Sequence, residues 1–177
     1  MAAAVFPVLL AAAVYFPITR SYFFADDFVC LASIRNDGFL RFVLRPFGGH
    51  ELIVRNLVFY GSARLFGLRA DLFFWTVLLT HLLNVWLFFR VLRNLTASGM
   101  LASVGAAFWG TSPVLVGTLG WYSVYGQVLV ATALLVVLDR VTSRPATTTS
   151  AACRSSSWCA SSSSTSDASR CCGRSRQ

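Results

Sequence analysis

Apolar residues in this chain run in long uncharged stretches separated by short polar ones, and that spacing sets the expected elements. Residues 2–18 carry no charge and are interrupted only by Pro7, Tyr15 and Pro17, close to the roughly 17–25 residues that a helix needs to cross a bilayer. We expect a first membrane helix there. A cleaved signal peptide is the competing reading, but no Lys or Arg precedes the run and aromatics follow it. Residues 19–51 then interleave Arg20, Asp26, Asp27, Arg35, Asn36, Asp37, Arg41, Arg45 and Glu51 with Phe, Leu and Val. Their period is closer to a helix than a strand, with Phe28, Leu31, Ala32, Phe39, Phe42 and Val43 on one face, which predicts short amphipathic helices lying on the membrane. Pro46-Phe47-Gly48-Gly49 predicts a turn.

Four further apolar runs follow. Residues 52–68 contain Arg55 and Arg64, which a helix separates by about 13 Å along its axis and half a turn around it. Snorkelling to opposite surfaces would make this a weak second crossing. Residues 70–89 form the clearest span, charged only at Asp71 and potentially at His81, and ended by Arg90 and Arg93. Thr76, Thr80, His81 and Asn84 share one stripe of it and are expected to face other helices. A span over 99–113 carries small residues at Gly99, Ser103 and Ala107, a close-packing pattern, before Thr111-Ser112-Pro113 ends or kinks it. The last, 121–138, opens with Trp121, Tyr122 and Tyr125, which suit a membrane interface. The fold class expected is therefore all-α: a polytopic integral membrane protein of about five crossings with an amphipathic first loop.

Composition sharpens this. At 56% hydrophobic and 12% charged, the chain is far from a soluble domain, where charged residues are about 25%. The 15 basic residues are all arginine, against 7 acids, and the net +8 divides equally between residues 1–140 and 141–177. Charge does not fix the orientation, because Arg20 through Arg55, the pair Arg90 and Arg93, and the pair Arg140 and Arg144 all ask for the cytoplasmic side. Residues 141–177 contain 12 Ser, 5 Thr, 5 Arg and 4 Cys. So polar a segment cannot bury enough surface to offset its ordering entropy, and residues 140–177 are expected to be a disordered tail. Two origins fit it: a genuine polar tail, or a shifted reading frame in a GC-rich gene, which the abrupt change near Asp139 favours. The clustered Cys153, Cys159, Cys171 and Cys172 have no core to fold around and say nothing about redox compartment. The arginines of the tail have no interleaved aromatics on which bases would stack, which argues against nucleic acid as a partner, and Asn94-Leu95-Thr96 fits a glycosylation sequon but lies close to the membrane, where a chance match is the plainer reading.

Chemistry concentrates in Tyr22-Phe23-Phe24-Ala25-Asp26-Asp27-Phe28. Adjacent carboxylates at a membrane surface repel one another and lose hydration, so one needs a cation, an arginine or a proton. A general base or a divalent metal site has that requirement, and so does the plain alternative of acids at a helix N-terminus.

An apolar first helix, Phe-Ala-Asp-Asp-Phe, a loop with Arg45-Pro46-Phe47 and Arg55-Asn56, then Leu65-Phe66-Gly67 and His81-Leu82-Leu83-Asn84 together resemble the start of the type C glycosyltransferases. The similarity is to the protein O-mannosyltransferase-like and transmembrane O-mannosyltransferase-like branches, over about residues 5–138. The Asp pair is its most specific motif; Phe-Gly and His-x-x-Asn are weak alone. The resemblance implies a polytopic enzyme of the bacterial-type plasma membrane that moves a sugar from a polyprenyl-phosphate carrier to an extracytoplasmic acceptor. It implies Asp26 or Asp27 as catalytic carboxylate or metal holder, Arg45 and Arg55 as donor-phosphate ligands, and His81 with Asn84 in support. Family members have more helices and usually a further domain, so the chain is expected to be an N-terminal fragment, inactive alone. A non-catalytic membrane component, such as a transporter fragment or assembly subunit whose acids cap a helix, is the other class.

Overall fold

The computed structural model describes residues 2–46 and 52–143, and all regular structure in them is helical. The predicted turn at 46–49 and the polar tail, with its two origins, fall wholly or mainly outside the described residues.

Helix α1 (Ala2–Tyr15) carries Pro7 inside it and passes into a 3₁₀ turn, Phe16–Arg20. Pro17 lacks the N–H an α-helix would use there, so the chain tightens instead of continuing. Two short helices make up the first loop, α2 (Asp26–Asn36) and α3 (Phe39–Val43). Next comes α4 (Ile53–Phe66), ended by Gly67 at φ 63°, a conformation in which a side chain is strained. Helix α5 (Ala70–Thr96) is the longest at 27 residues. It continues through Arg90 and Arg93, because basic residues suit a helix C-terminus even where they end a hydrophobic run. After it come α6 (Gly99–Gly110), α7 (Leu115–Gly120), a 3₁₀ turn at Tyr122–Val124 and α8 (Tyr125–Thr142).

Three segments, Ala3–Arg20, Ala70–Thr96 and Tyr122–Thr142, are long and apolar enough to cross a membrane, the length and composition of an integral membrane protein. The other two expected crossings are helical but shorter. Helix α4 has 14 residues and α6 has 12, rising about 21 and 18 Å against a hydrocarbon core of about 30 Å. Gly110 at the end of α6 meets His81 on α5, and α7 carries the chain onward to Leu119 in the cluster around the start of α5.

Helix α5 is the hub, packed by α1, α6 and α8. Its first half sits in an aromatic cluster with Tyr15, Phe23, Phe42, Phe59, Tyr122 and Tyr125 around Phe73 and Phe74. Its second half packs Val85 and Phe89 against Ala11, Ala102 and Ala106. The residues of α6 set against α5 are Ala102, Ala106 and Gly110, while of the expected Gly99-Ser103-Ala107 row Ala107 is buried and a Cβ on Gly99 would lie 3.8 Å from Ala3 on α1. Contact with α5 decides the rotation: a Cβ on Gly110 would stand 2.7 Å from Val85 Cγ2.

Helix α2 turns a polar side toward the rest of the protein. Asp27 and Cys30 are buried, with Leu31 and Ile34 packed beside them, whereas Phe28 is exposed. Polar partners inside the protein, described next, determine which face turns inward.

Candidate functional site

The first loop is tied into the protein through its polar residues. Asp27 is wholly buried. Its Oδ1 accepts the Ser123 backbone N–H and the Ser123 hydroxyl, both at 2.6 Å, and its Oδ2 accepts the Phe24 N–H at 3.1 Å. The Phe24 bond closes the N-terminus of α2 from within, as a capping-box acid does, and the Ser123 bonds fasten it to the turn before α8. Ala25, directly before the pair, takes φ 45° and ψ −110°, a costly backbone conformation for a residue with a Cβ that persists only where its surroundings enforce it. Asp26, next in the chain, is half-buried.

The two carboxylates therefore differ. Asp27 is saturated by donors and acts as a clamp; Asp26 is the one with solvent access. Among the described residues no three His, Cys, Asp or Glu side chains converge as metal ligands, and Asp27 has its lone pairs directed at fixed donors. This donor set does not fit a resident divalent metal.

Arg55 leaves the first turn of α4 and is buried, its Nη1 3.1 Å from Cys30 Sγ. Snorkelling is not what it does. Cys30 lies on the same side of α2 as Asp27, and burial pushes its thiol above the usual range while the Arg55 guanidinium pulls it part of the way back. Asp27, Cys30, Arg55 and Ser123 form one buried polar cluster.

Two hollows meet at this cluster. The smaller, about 10 Å³, has Cys30, Ser33, Arg45, Arg55 and Asn56 in its wall, room for about one water. The larger is a groove of about 750 Å³ between the start of α4 and the first turns of α8. Its apolar lining is Leu52, Ile53, Val54, Leu129, Val130 and Ala133, and its polar lining is Arg55, Ser123 and Gln127.

The other expected site residues separate from this groove. Arg45 is half exposed and donates to Ser33 Oγ at 2.8 Å, with Asp37 at 3.4 Å, so it braces α2 against the end of α3. It shares the small hollow with Arg55 but not the groove. Asn56 donates to the carbonyls of Phe42, Val43 and Arg45, closing the open end of α3. His81 and Asn84 lie within the bundle. His81 Nε2 pairs with the Gly110 carbonyl at 2.9 Å and Asn84 donates to the Val128 carbonyl at 3.1 Å, while Thr80 pairs with the Tyr125 hydroxyl at 2.7 Å. The polar stripe of α5 does face other helices, as expected, and His81 and Asn84 join helices there and do not line the groove.

Sequence reasoning passed over Cys30, Ser123 and Gln127. Ser123 sits within Trp121-Tyr122-Ser123-Val124-Tyr125, where the aromatics carried the stronger signal; a serine at an interface has none of its own. The chain matches no family model, no curated protein and no solved structure.

Proposed function

We propose that this chain is the donor-binding, N-terminal part of a membrane transferase of the type C kind, which passes a sugar from a polyprenyl-phosphate carrier to an extracytoplasmic acceptor. The observation that carries the reading is the groove itself. It has mostly apolar walls that also hold a buried arginine, Arg55, and a serine, Ser123. That pairing of dry walls with a forked cationic donor suits an amphiphile with an anionic head. In this reading Arg55 receives the phosphate, Arg45 steadies the loop, and Asp26 is the general base toward the acceptor hydroxyl, with Asp27 holding the loop in place. The bundle then comprises three full crossings, α6 with α7 as a broken fourth, and α4 as a short membrane-embedded helix; the membrane is a bacterial-type plasma membrane.

Two measurements test it. Polyprenyl phosphate presented to the chain in phosphatidylcholine nanodiscs should bind at least tenfold more tightly than the uncharged polyprenol, and Arg55→Met should remove the difference. Equal binding of the two lipids by the wild-type chain would overturn the donor reading. In a full-length version that transfers sugar, Asp26→Asn should lower the rate about 100-fold or more at unchanged membrane abundance. Donor binding with unaltered transfer in Asp26→Asn would favour a non-catalytic lipid-binding component.

A further inference from the structure

Arg55 reaches the polar cluster by passing directly over α8. Its aliphatic stem lies where a side chain of residue 126 would be: a Cβ placed on Gly126 would stand 3.1 Å from Arg55 Cβ and 3.2 Å from its Cγ. Both residues line the groove, and beyond that crossing the guanidinium reaches Cys30 Sγ at 3.1 Å. Nothing about helix formation asks for glycine in the first turn of α8, where alanine would be the better helix former. Gly61, Gly117 and Gly120, by contrast, have open space where a Cβ would go. The glycine is explained by the arginine stem lying across it.

We propose that Gly126 is a positioning residue for Arg55: its missing side chain is the notch through which the arginine stem passes, and it keeps the guanidinium beside Cys30 in the wall of the groove. A methyl group there leaves the stem two courses, to lift off α8 by several tenths of an ångström or to turn toward the groove mouth. Either moves the charged end by more than it moves the stem, because the guanidinium lies three bonds further out. The inference rests on the anionic-head reading of the groove given above, and it adds the element that sets where the head is held.

The test uses the full chain in phosphatidylcholine nanodiscs with two probes of equal tail length, dodecyl phosphate and dodecanol. The wild-type chain should retain the phosphate at least tenfold better than the alcohol. Gly126→Ala should cut that ratio about five-fold, toward the value for Arg55→Met, with dodecanol retention unchanged. A wild-type chain without preference for the phosphate would overturn the anionic-head reading and this inference together. A wild-type preference that Gly126→Ala leaves intact would overturn only the positioning role. So would a variant that loses both probes equally, since that is damage to the groove as a whole. A second readout needs no ligand. The Arg55 guanidinium favours the Cys30 thiolate, so displacing it should move the pH midpoint of Cys30 alkylation, mapped by mass spectrometry, upward in Gly126→Ala and Arg55→Met alike. An unmoved midpoint in Gly126→Ala alone would also overturn the role.

Discussion

The two halves of α5 are held by different means. Around its first half, Phe73 meets the rings of Phe23, Phe59, Phe66 and Tyr122 edge-on at 4.8–6.0 Å between centroids, and hydroxyls pair across elements, Ser62 with Tyr122 at 2.9 Å and Thr80 with Tyr125 at 2.7 Å. Around its second half the buried residues that α6 contributes are small, Ala102, Ala106 and Gly110 set against Val85, Phe89 and Ala11, with a ring pair, Phe88 and Trp109, beside them. Large rings hold elements apart and leave room between them, while small residues bring helix axes together and leave none. The groove and the buried polar cluster occur at the aromatic half, where spacing permits them. The far end is fastened electrostatically, Arg90 pairing with Asp139 at 3.0 Å while lying over the Trp86 ring.

That contrast can be broken most forcefully at Phe73. Phe73→Ala removes the ring on which four others rest, and should cost about 3–5 kcal/mol, seen as a lowered midpoint in unfolding from detergent micelles. Next is Asp27→Ala, which leaves three donors of Phe24 and Ser123 unmatched and should cost about 2–3 kcal/mol, with faster proteolysis of the first loop as its local signature. On the small-residue side the damage comes from adding atoms. Gly110→Ala drives a Cβ to within 2.7 Å of Val85 Cγ2 and should cost about 1–3 kcal/mol, most of it recovered by the double variant Gly110→Ala with Val85→Ala. The same double variant at the aromatic half, Phe73→Ala with a second ring removed, should show no recovery. Smallest is His81→Leu, which gives up the bond to the Gly110 carbonyl and should cost about 0.6 kcal/mol. A loss several times larger would assign His81 more than a helix-joining role.

Long-range periodicity was legible in the residues, and local polarity was not. The apolar runs at 2–18, 70–89 and 121–138 each mark a helical segment long enough to cross a membrane, because the bilayer imposes a similar length on every crossing. The stripe of Thr80, His81 and Asn84 likewise faced other helices, since a polar group has few other places to go on such a helix. The inward face of α2 could not be found the same way. Hydrophobic counting puts Phe28 on a face for the membrane and is silent on which side meets the protein; Asp27 and Cys30 take that side because Ser123, 96 residues later, and Arg55 supply their partners. Nor does the pattern distinguish Asp26 from Asp27, since the difference lies wholly in which of them meets those donors. The α6 row was legible only in part for a related reason: Gly99, Ser103 and Ala107 are as small as Ala102, Ala106 and Gly110, and only the surface of Val85 and Phe89 shows which of them meet α5.

The bond between Asp27 and Ser123 also has a history in time. The two residues are 96 positions apart, and at synthesis rates of about 5–20 residues per second Ser123 emerges roughly 5–20 s after Asp27. Through that interval α1, α2 and α4 exist without the partner that seals the loop, and a bare carboxylate waits at the membrane surface, where water and headgroups can keep it charged. Arrival of the turn before α8 withdraws the carboxylate from water and brings Ser123, a residue of the groove wall, into place in one event. The loop sequence is therefore required to be tolerable twice: exposed and hydrated while the chain is growing, then buried once it is long enough.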